Sequence, residues 1–192
     1  MSSTRIEEEI EKAVEYVRRG QVILYPSDTL WALTCDIYNK SATERLKKIK
    51  KSVTKGQMIL AVNSIDMLKS QVRSVHPRIE TLLLYHNKPL SIIYDAPHDM
   101  PEYLISDQGT IAVRVVNDHF SKELITQLGQ PIISSTAMVE GEKSLPKKYE
   151  DISAHVKKEV DHIVDLKSIV LDGMPSILAR YNHKGDLEFI RR

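Results

Sequence analysis

A chain of 192 residues with 28% charged side chains and a net charge of only +1 is about one domain long and less basic than dedicated nucleic-acid binders. Its 42% hydrophobic content suffices for one core, and no apolar run nears the roughly 18 residues of a membrane span. One cysteine, Cys35, excludes an internal disulfide, and the polar segment Met1 to Glu9 does not read as a secretory signal. The expectation is a cytoplasmic protein with no membrane attachment.

The first segment reads as a helix. Thr4 and Glu7 have capping-box spacing, Ile6, Ile10, Ala13, Val14 and Val17 form an apolar stripe, and Gly20 is placed to end it. Val22 to Tyr25 reads as a buried strand stopped by Pro26. Ser41 to Lys51 reads as a helix capped by Ser41 and Glu44, with Leu46 and Ile49 inward and its lysines outward. Met58 to Val62 is strand-like, followed by helices over Ile65 to Val72 and Pro77 to His86. Further strands are expected at Leu90 to Tyr94, Thr110 to Val116, Pro131 to Ser135, His162 to Leu166, Ser176 to Tyr181 and Leu187 to Arg191, with a helix over Phe120 to Leu128. The last two strands look like a hairpin around Asn182 to Asp186. Val139 to Tyr149 is polar and aperiodic and reads as a loop. Interleaved strands and helices imply a single α/β domain, residues 1–192, with helices packed on a mixed sheet.

No phosphate loop, G-x-G-x-x-G motif or metal-spaced histidine pair occurs, so no metal site is expected, and Cys35 reads as a small core residue. Four points stand out. Pro26-Ser27-Asp28-Thr29 after the first strand is either a turn with a helix cap or part of a site. Lys50 sits in a basic cluster with Arg45, Lys47, Lys48, Lys51 and Lys55, which is either a solvated helix face or a phosphate contact. Arg114 is the lone charge in Ile111 to Val116 and needs an anionic partner, a carboxylate of the protein or a bound anion. Ile133-Ser134-Ser135-Thr136-Ala137 runs a strand into small hydroxyl residues that suit phosphate oxygens.

In this order the points resemble the YrdC-like family. Tyr25-Pro26-Ser27-Asp28-Thr29-Leu30-Trp31-Ala32-Leu33 is similar to its Y-P-T-D-T-x-Y-G-L, and Lys50 falls on the lysine of its K-x-R. Leu90 to Ile93 matches L-T-x-I, Val113-Arg114-Val115 matches V-R-V-P without the proline, and Ser135 to Met138 lies on T-S-A-N. Gly173 to Ser176 matches G-x-P-S and Arg191 the closing arginine, so the likeness spans nearly the whole chain. Ser52 replaces the K-x-R arginine and Met138 the asparagine, departures that resemble the YciO-like branch.

The resemblance implies a twisted sheet with a concave basic groove. It implies threonylcarbamoyl-AMP synthesis from L-threonine, bicarbonate and ATP, with pyrophosphate released, Mg²⁺ on the nucleotide, and tRNA as eventual acceptor. It assigns Lys50 and Arg114 to the anionic groups as catalytic cations. Ser27, Thr29 and Ser91 fall at the threonine end, and Ser135, Thr136, Ser176 and Arg191 at the nucleotide end. The alternative it offers is double-stranded RNA or tRNA binding in the same groove, without catalysis.

Overall fold

The computed structural model describes residues 3–51, 58–171, 173–181 and 186–191. Among them, nine strands form one continuous mixed sheet in the order β7-β1-β2-β6-β3-β5-β4-β8-β9. The strands are β1 (Ile23–Pro26), β2 (Trp31–Thr34), β3 (Ile59–Val62), β4 (Leu90–Asp95), β5 (Thr110–Val115), β6 (Ile132–Thr136), β7 (His162–Ile163), β8 (Ile177–Tyr181) and β9 (Leu187–Arg191). The helices are α1 (Ser3–Arg18), α2 (Lys40–Lys50), α3 (Ile65–Gln71), α4 (Pro77–Tyr85), α5 (His119–Leu128) and α6 (Ala154–Glu159). No helix among the described residues is long and apolar enough to cross a membrane.

Side chains alternate across the sheet and divide the core into two layers. Leu24, Leu33, Leu60, Val113 and Ile133 face the layer of α2, α3 and α6, where Leu46, Ile49, Leu68 and Val156 meet them. Ile23, Tyr25, Ala32, Ala61 and Ile132 face the opposite layer, against Ile10, Val14 and Val17 of α1 and Phe120, Leu124 and Ile125 of α5. A small satellite core joins Ile79 of α4 to Leu90, Ile92 and Ala179.

Several expectations need correction. The segment after β1 does not open a helix: Ser27 N donates to Leu30 O at 3.2 Å, and the chain returns as β2, antiparallel with Pro26 opposite Trp31. The run Trp31-Ala32-Leu33 is buried on both faces, so it shows no alternation to betray a strand. The cap of α2 is Asn39, whose side chain accepts from Ala42 N at 3.0 Å, not Ser41. Thr4 lies inside α1 rather than capping it. Helix α6 was not anticipated, and the strand expected over His162 to Leu166 is only two residues long. The expected hairpin of β8 and β9 is present, while Asn182 to Gly185 of its loop lie outside the described residues.

Candidate functional site

The site grows from the register of β5. Ile111 and Val113 enter the α2 layer, so Arg114 must enter the α1/α5 layer, where it is 2% exposed. A guanidinium there requires acceptors. Asp28, in the turn between β1 and β2, places Oδ1 3.1 Å from Arg114 Nη2. Ser134 of β6 faces the same layer, and its Oγ accepts from Arg114 Nη2 at 3.1 Å and from Tyr25 Oη at 3.2 Å. The carboxylate answer to the arginine is therefore realised, but the pair is underbonded. Among the described residues Arg114 Nε donates to nothing, and Asp28 Oδ1 accepts no aligned hydrogen bond. Asp118, the N-cap of α5, accepts from Ser121 N at 2.8 Å. Burial pushes its carboxyl up, Asp28 adds to the rise, and Arg114 opposes it. Burial pushes the Tyr25 phenol up to about 12, so it stays a donor at neutral pH.

A second arginine closes the opposite side. Arg191 of β9 donates through Nε and Nη2 to Ser176 O at 3.1 and 3.0 Å, and through Nη2 to Ser176 Oγ at 3.2 Å. Ser176 Oγ lies 2.8 Å from Ser91 Oγ on β4, directly opposite Arg114 in the strand pairing. Burial lowers the Arg191 pKa, and the positive charge of Arg114 lowers it further. Between these walls lies a small cleft, lined by Thr29, Leu30, Ala32, Ile59, Arg114, Ser134, Thr136, Pro175, Ser176 and Arg191. The segment leading into Ser176 is itself constrained: Gly173 has φ +71°, and the Lys147 side chain passes where a Cβ would stand.

The structure thus gathers Arg114, Thr29, Thr136, Ser176 and Arg191 around one cleft. Ser27 and Ser91 stand behind it. Ser27 Oγ is 3.0 Å from Thr29 Oγ1 and fixes the turn, and Ser91 supports Ser176. Two expected residues fall elsewhere. Ser135 points away from Arg114, because the strand period of two sends Ser134 and Thr136 to the cleft and Ser135, opposite Leu33, to the other layer. Lys50 ends α2 in that other layer and is not part of the cleft wall. Its Nζ donates to Thr136 O and, at 3.1 Å, to Met138 O. Burial lowers its pKa to about 8, against the raising influence of Glu142 and Glu140.

Among the described residues the basic cluster does not form one open face. Arg45 is bonded to Asp161 and to Glu159 O at 2.7 Å, and Lys47 donates to Tyr103 O at 2.8 Å. Lys48 and Lys51 are exposed, and Ser52 and Lys55 lie outside the described residues. Sequence reasoning singles out the segments that hold Ser134, Asp28 and Tyr25 but gives none of the three a role of its own. Alternation along β6 counted from Arg114's face was the available signal for Ser134. Cys35 is a core residue as expected, its thiol pushed up to about 12 by burial. Among the described residues no group of three or more His, Cys, Asp or Glu side chains could hold a metal ion.

The model for Sua5, YciO and YrdC proteins, described as telomere recombination, matches residues 15–192. The chain belongs to the Sua5/YciO/YrdC family. It is 32% identical over 139 residues to a threonylcarbamoyl-AMP synthase of Pseudoalteromonas translucida, covering 71% of this chain and 74% of that one. It is 30% identical over 158 residues to the Escherichia coli protein YciO, covering 81% and 76%. The crystal structure of E. coli YciO superposes with TM-score 0.80 at 26% identity, over 97% of this chain and 91% of that one. Pyrococcus abyssi Sua5 complexed with L-threonine shares the fold, with TM-score 0.78 at 20% identity over 89% of this chain. This chain spans 50% of that Sua5 chain.

Proposed function

We propose that the cleft between Arg114 and Arg191 binds L-threonine and ATP, and that the protein forms threonylcarbamoyl-AMP from them with bicarbonate. The observation that carries this reading is a buried, underbonded guanidinium facing hydroxyl side chains in a cleft that also holds a second guanidinium. Such a cleft suits a ligand with two anionic ends. Arg114 meets the threonine carboxylate, while Arg191 and Thr136 face the phosphates. Threonine's nitrogen bonds to the carbon of bicarbonate with loss of water, giving a carbamate. A carbamate oxygen then bonds to the α-phosphorus as the bond to the bridging β-phosphate oxygen breaks, and pyrophosphate leaves. Positioning and charge neutralisation supply most of such an acceleration. Mg²⁺ carried on the nucleotide phosphates would add charge neutralisation; the cleft lining offers it hydroxyls but no carboxylate. The product is an activated donor for tRNA modification.

Lys50 supports this site from behind, holding the end of β6 through the carbonyls of Thr136 and Met138. Ser52 and Met138 stand where the family pattern has an arginine and an asparagine. Losing one preorganised charge-stabilising donor slows such reactions by about 10²–10³, so turnover is slow. Duplex-RNA binding has less support, because Arg45, Lys47 and Lys50 are engaged within the fold. The test is the melting temperature with ATP, L-threonine, and both together. Saturating ligand that binds only the folded state raises stability by about 2.7 kcal/mol at a hundred times its Kd. The reading expects a larger rise with both than with either alone. No shift with any of the three mixtures contradicts it.

A further inference from the structure

We infer that Ser134 is a hydroxyl donor to the anionic group that Arg114 meets, aimed into the cleft by that arginine and by the Tyr25 hydroxyl buried behind it, as Ser176 is aimed by Arg191 and Ser91 at the opposite end. A serine hydroxyl has one proton and two lone pairs. Ser134 Oγ receives Arg114 Nη2 at 3.1 Å and Tyr25 Oη at 3.2 Å, so both lone pairs are occupied. Its own proton must point elsewhere, and its open side is the cleft. The arrangement repeats across the cleft. Ser176 Oγ receives Arg191 Nη2 at 3.2 Å and lies 2.8 Å from Ser91 Oγ.

The direction of that last bond follows from burial. Ser91 is 0% exposed and has no other hydrogen-bond partner among the described residues. If Ser176 donated to Ser91, the Ser91 proton would be left buried and unbonded, which costs about 1–3 kcal/mol. Ser91 therefore donates, and the Ser176 proton faces the cleft. A guanidinium and an oriented hydroxyl proton then stand together at each end of the cleft. A group that only accepts, such as a carboxylate, carbamate or phosphate, satisfies both members of a pair. A carboxamide keeps one acceptor oxygen but turns its N–H groups toward the other donor and leaves both unpaired. Tyr25 and Ser91 act through their serines and are positioning residues.

This inference rests on the cleft being an anion site, as proposed above, but not on adenylate chemistry. The test is calorimetric titration of L-threonine, L-threoninamide and inorganic pyrophosphate into wild type, Ser134→Ala, Ser134→Thr and Tyr25→Phe, with melting curves for each. A hydrogen bond to a charged group corresponds to roughly 10–150-fold in affinity. Ser134→Ala should weaken threonine by at least about tenfold and shrink the preference for threonine over its amide. Ser134→Thr, which keeps the donor, should restore both. Tyr25→Phe should weaken binding only about twofold, the loss of polarisation along the chain of bonds. Equal threonine affinity and equal preference in wild type and Ser134→Ala overturn the inference and leave the synthase reading standing. Pyrophosphate binding without threonine binding sinks the synthase reading. The inference then survives only if Ser134→Ala loses pyrophosphate. Binding of neither ligand by wild type overturns both. If Ser134→Ala does not fold, Ser176→Ala takes its place, with at least about a tenfold loss expected for pyrophosphate, and unchanged pyrophosphate affinity there overturns the inference.

Discussion

The C-terminal half of α2 and the middle of β5 both carry positive charge, and they use it in opposite ways. The helix holds the dense cluster, yet three of its cations are engaged within the fold: Arg45 by Asp161 and Glu159 O, Lys47 by Tyr103 O, Lys50 by Thr136 O and Met138 O. The strand holds a single arginine among apolar residues, and that one lines the cleft. Density of charge along the chain is therefore a poor guide here, and burial a good one. A helix-surface lysine can keep its ammonium in water, and an exposed pair contributes about 0–1 kcal/mol. A charge inside a sheet loses several kcal/mol of hydration and must recover it from partners. Arg114 recovers it incompletely from Asp28 and Ser134, which leaves its Nε without an acceptor among the described residues.

The contrast can be broken most forcefully at Arg114. Arg114→Leu leaves the Asp28 carboxylate, whose side chain is 8% exposed, without its cation. Loss of one member of a buried pair costs about 3–5 kcal/mol, read by urea unfolding, and ligand binding should vanish with it. Adding Asp28→Leu should return most of the stability but none of the binding. If the single variant is as stable as wild type, Arg114 is not held as described. Arg191→Ala comes next. It removes the donor from Ser176 and should weaken pyrophosphate by roughly 10–150-fold, with a smaller loss of stability. Equal affinity would remove Arg191 from the site.

Lys50 sharpens the contrast through pH. Its folded-state pKa is about 8 against 10.5 for the ordinary ammonium. Between these values the unfolded chain holds a proton that the folded chain has released, so stability rises with pH across that window. The penalty is complete below about pH 8 and gone above about pH 10.5. Wild type should therefore gain stability relative to Lys50→Met as pH rises from about 8 to 10.5, measured by urea unfolding at each pH. Parallel profiles would contradict the buried ammonium. The smallest effects belong to Lys48→Ala and Lys51→Ala, exposed on the helix. Each should change stability by less than about 0.5 kcal/mol and leave cleft binding unaltered. A large loss of threonine affinity from either would return the basic cluster to the site.

Most strands were legible because their residues are β-branched and bounded by turn formers, as in Thr110 to Val116 and Leu90 to Tyr94. Trp31 to Thr34 was not, since a strand buried on both faces has no alternation, and the turn before it, with Asp28, reads equally as a helix cap or as part of a site. The same limit governs the site. Arg114 declared itself, because one charge in an apolar strand needs an explanation. Ser135 was chosen over Ser134 by matching a motif rather than by counting faces from Arg114. Lys50 was placed with Arg114 because chain order says nothing about which side of the sheet α2 covers. The inward turn of Arg191 onto Ser176 depends on β9 pairing with β8 at one register, which tertiary structure decides.

The central claim is that Arg114 takes the carboxylate of threonine while ATP lies beside it. The most direct test is pyrophosphate release from ATP and bicarbonate, with and without L-threonine, by wild type and Arg114→Lys. Lysine keeps a positive charge beside Asp28 but cannot reproduce the planar fork. The expected result is slow, threonine-dependent release by wild type and at least a tenfold loss in the variant, by roughly the value of one charged hydrogen bond. Release that ignores threonine, or equal rates in the two proteins, contradicts the claim.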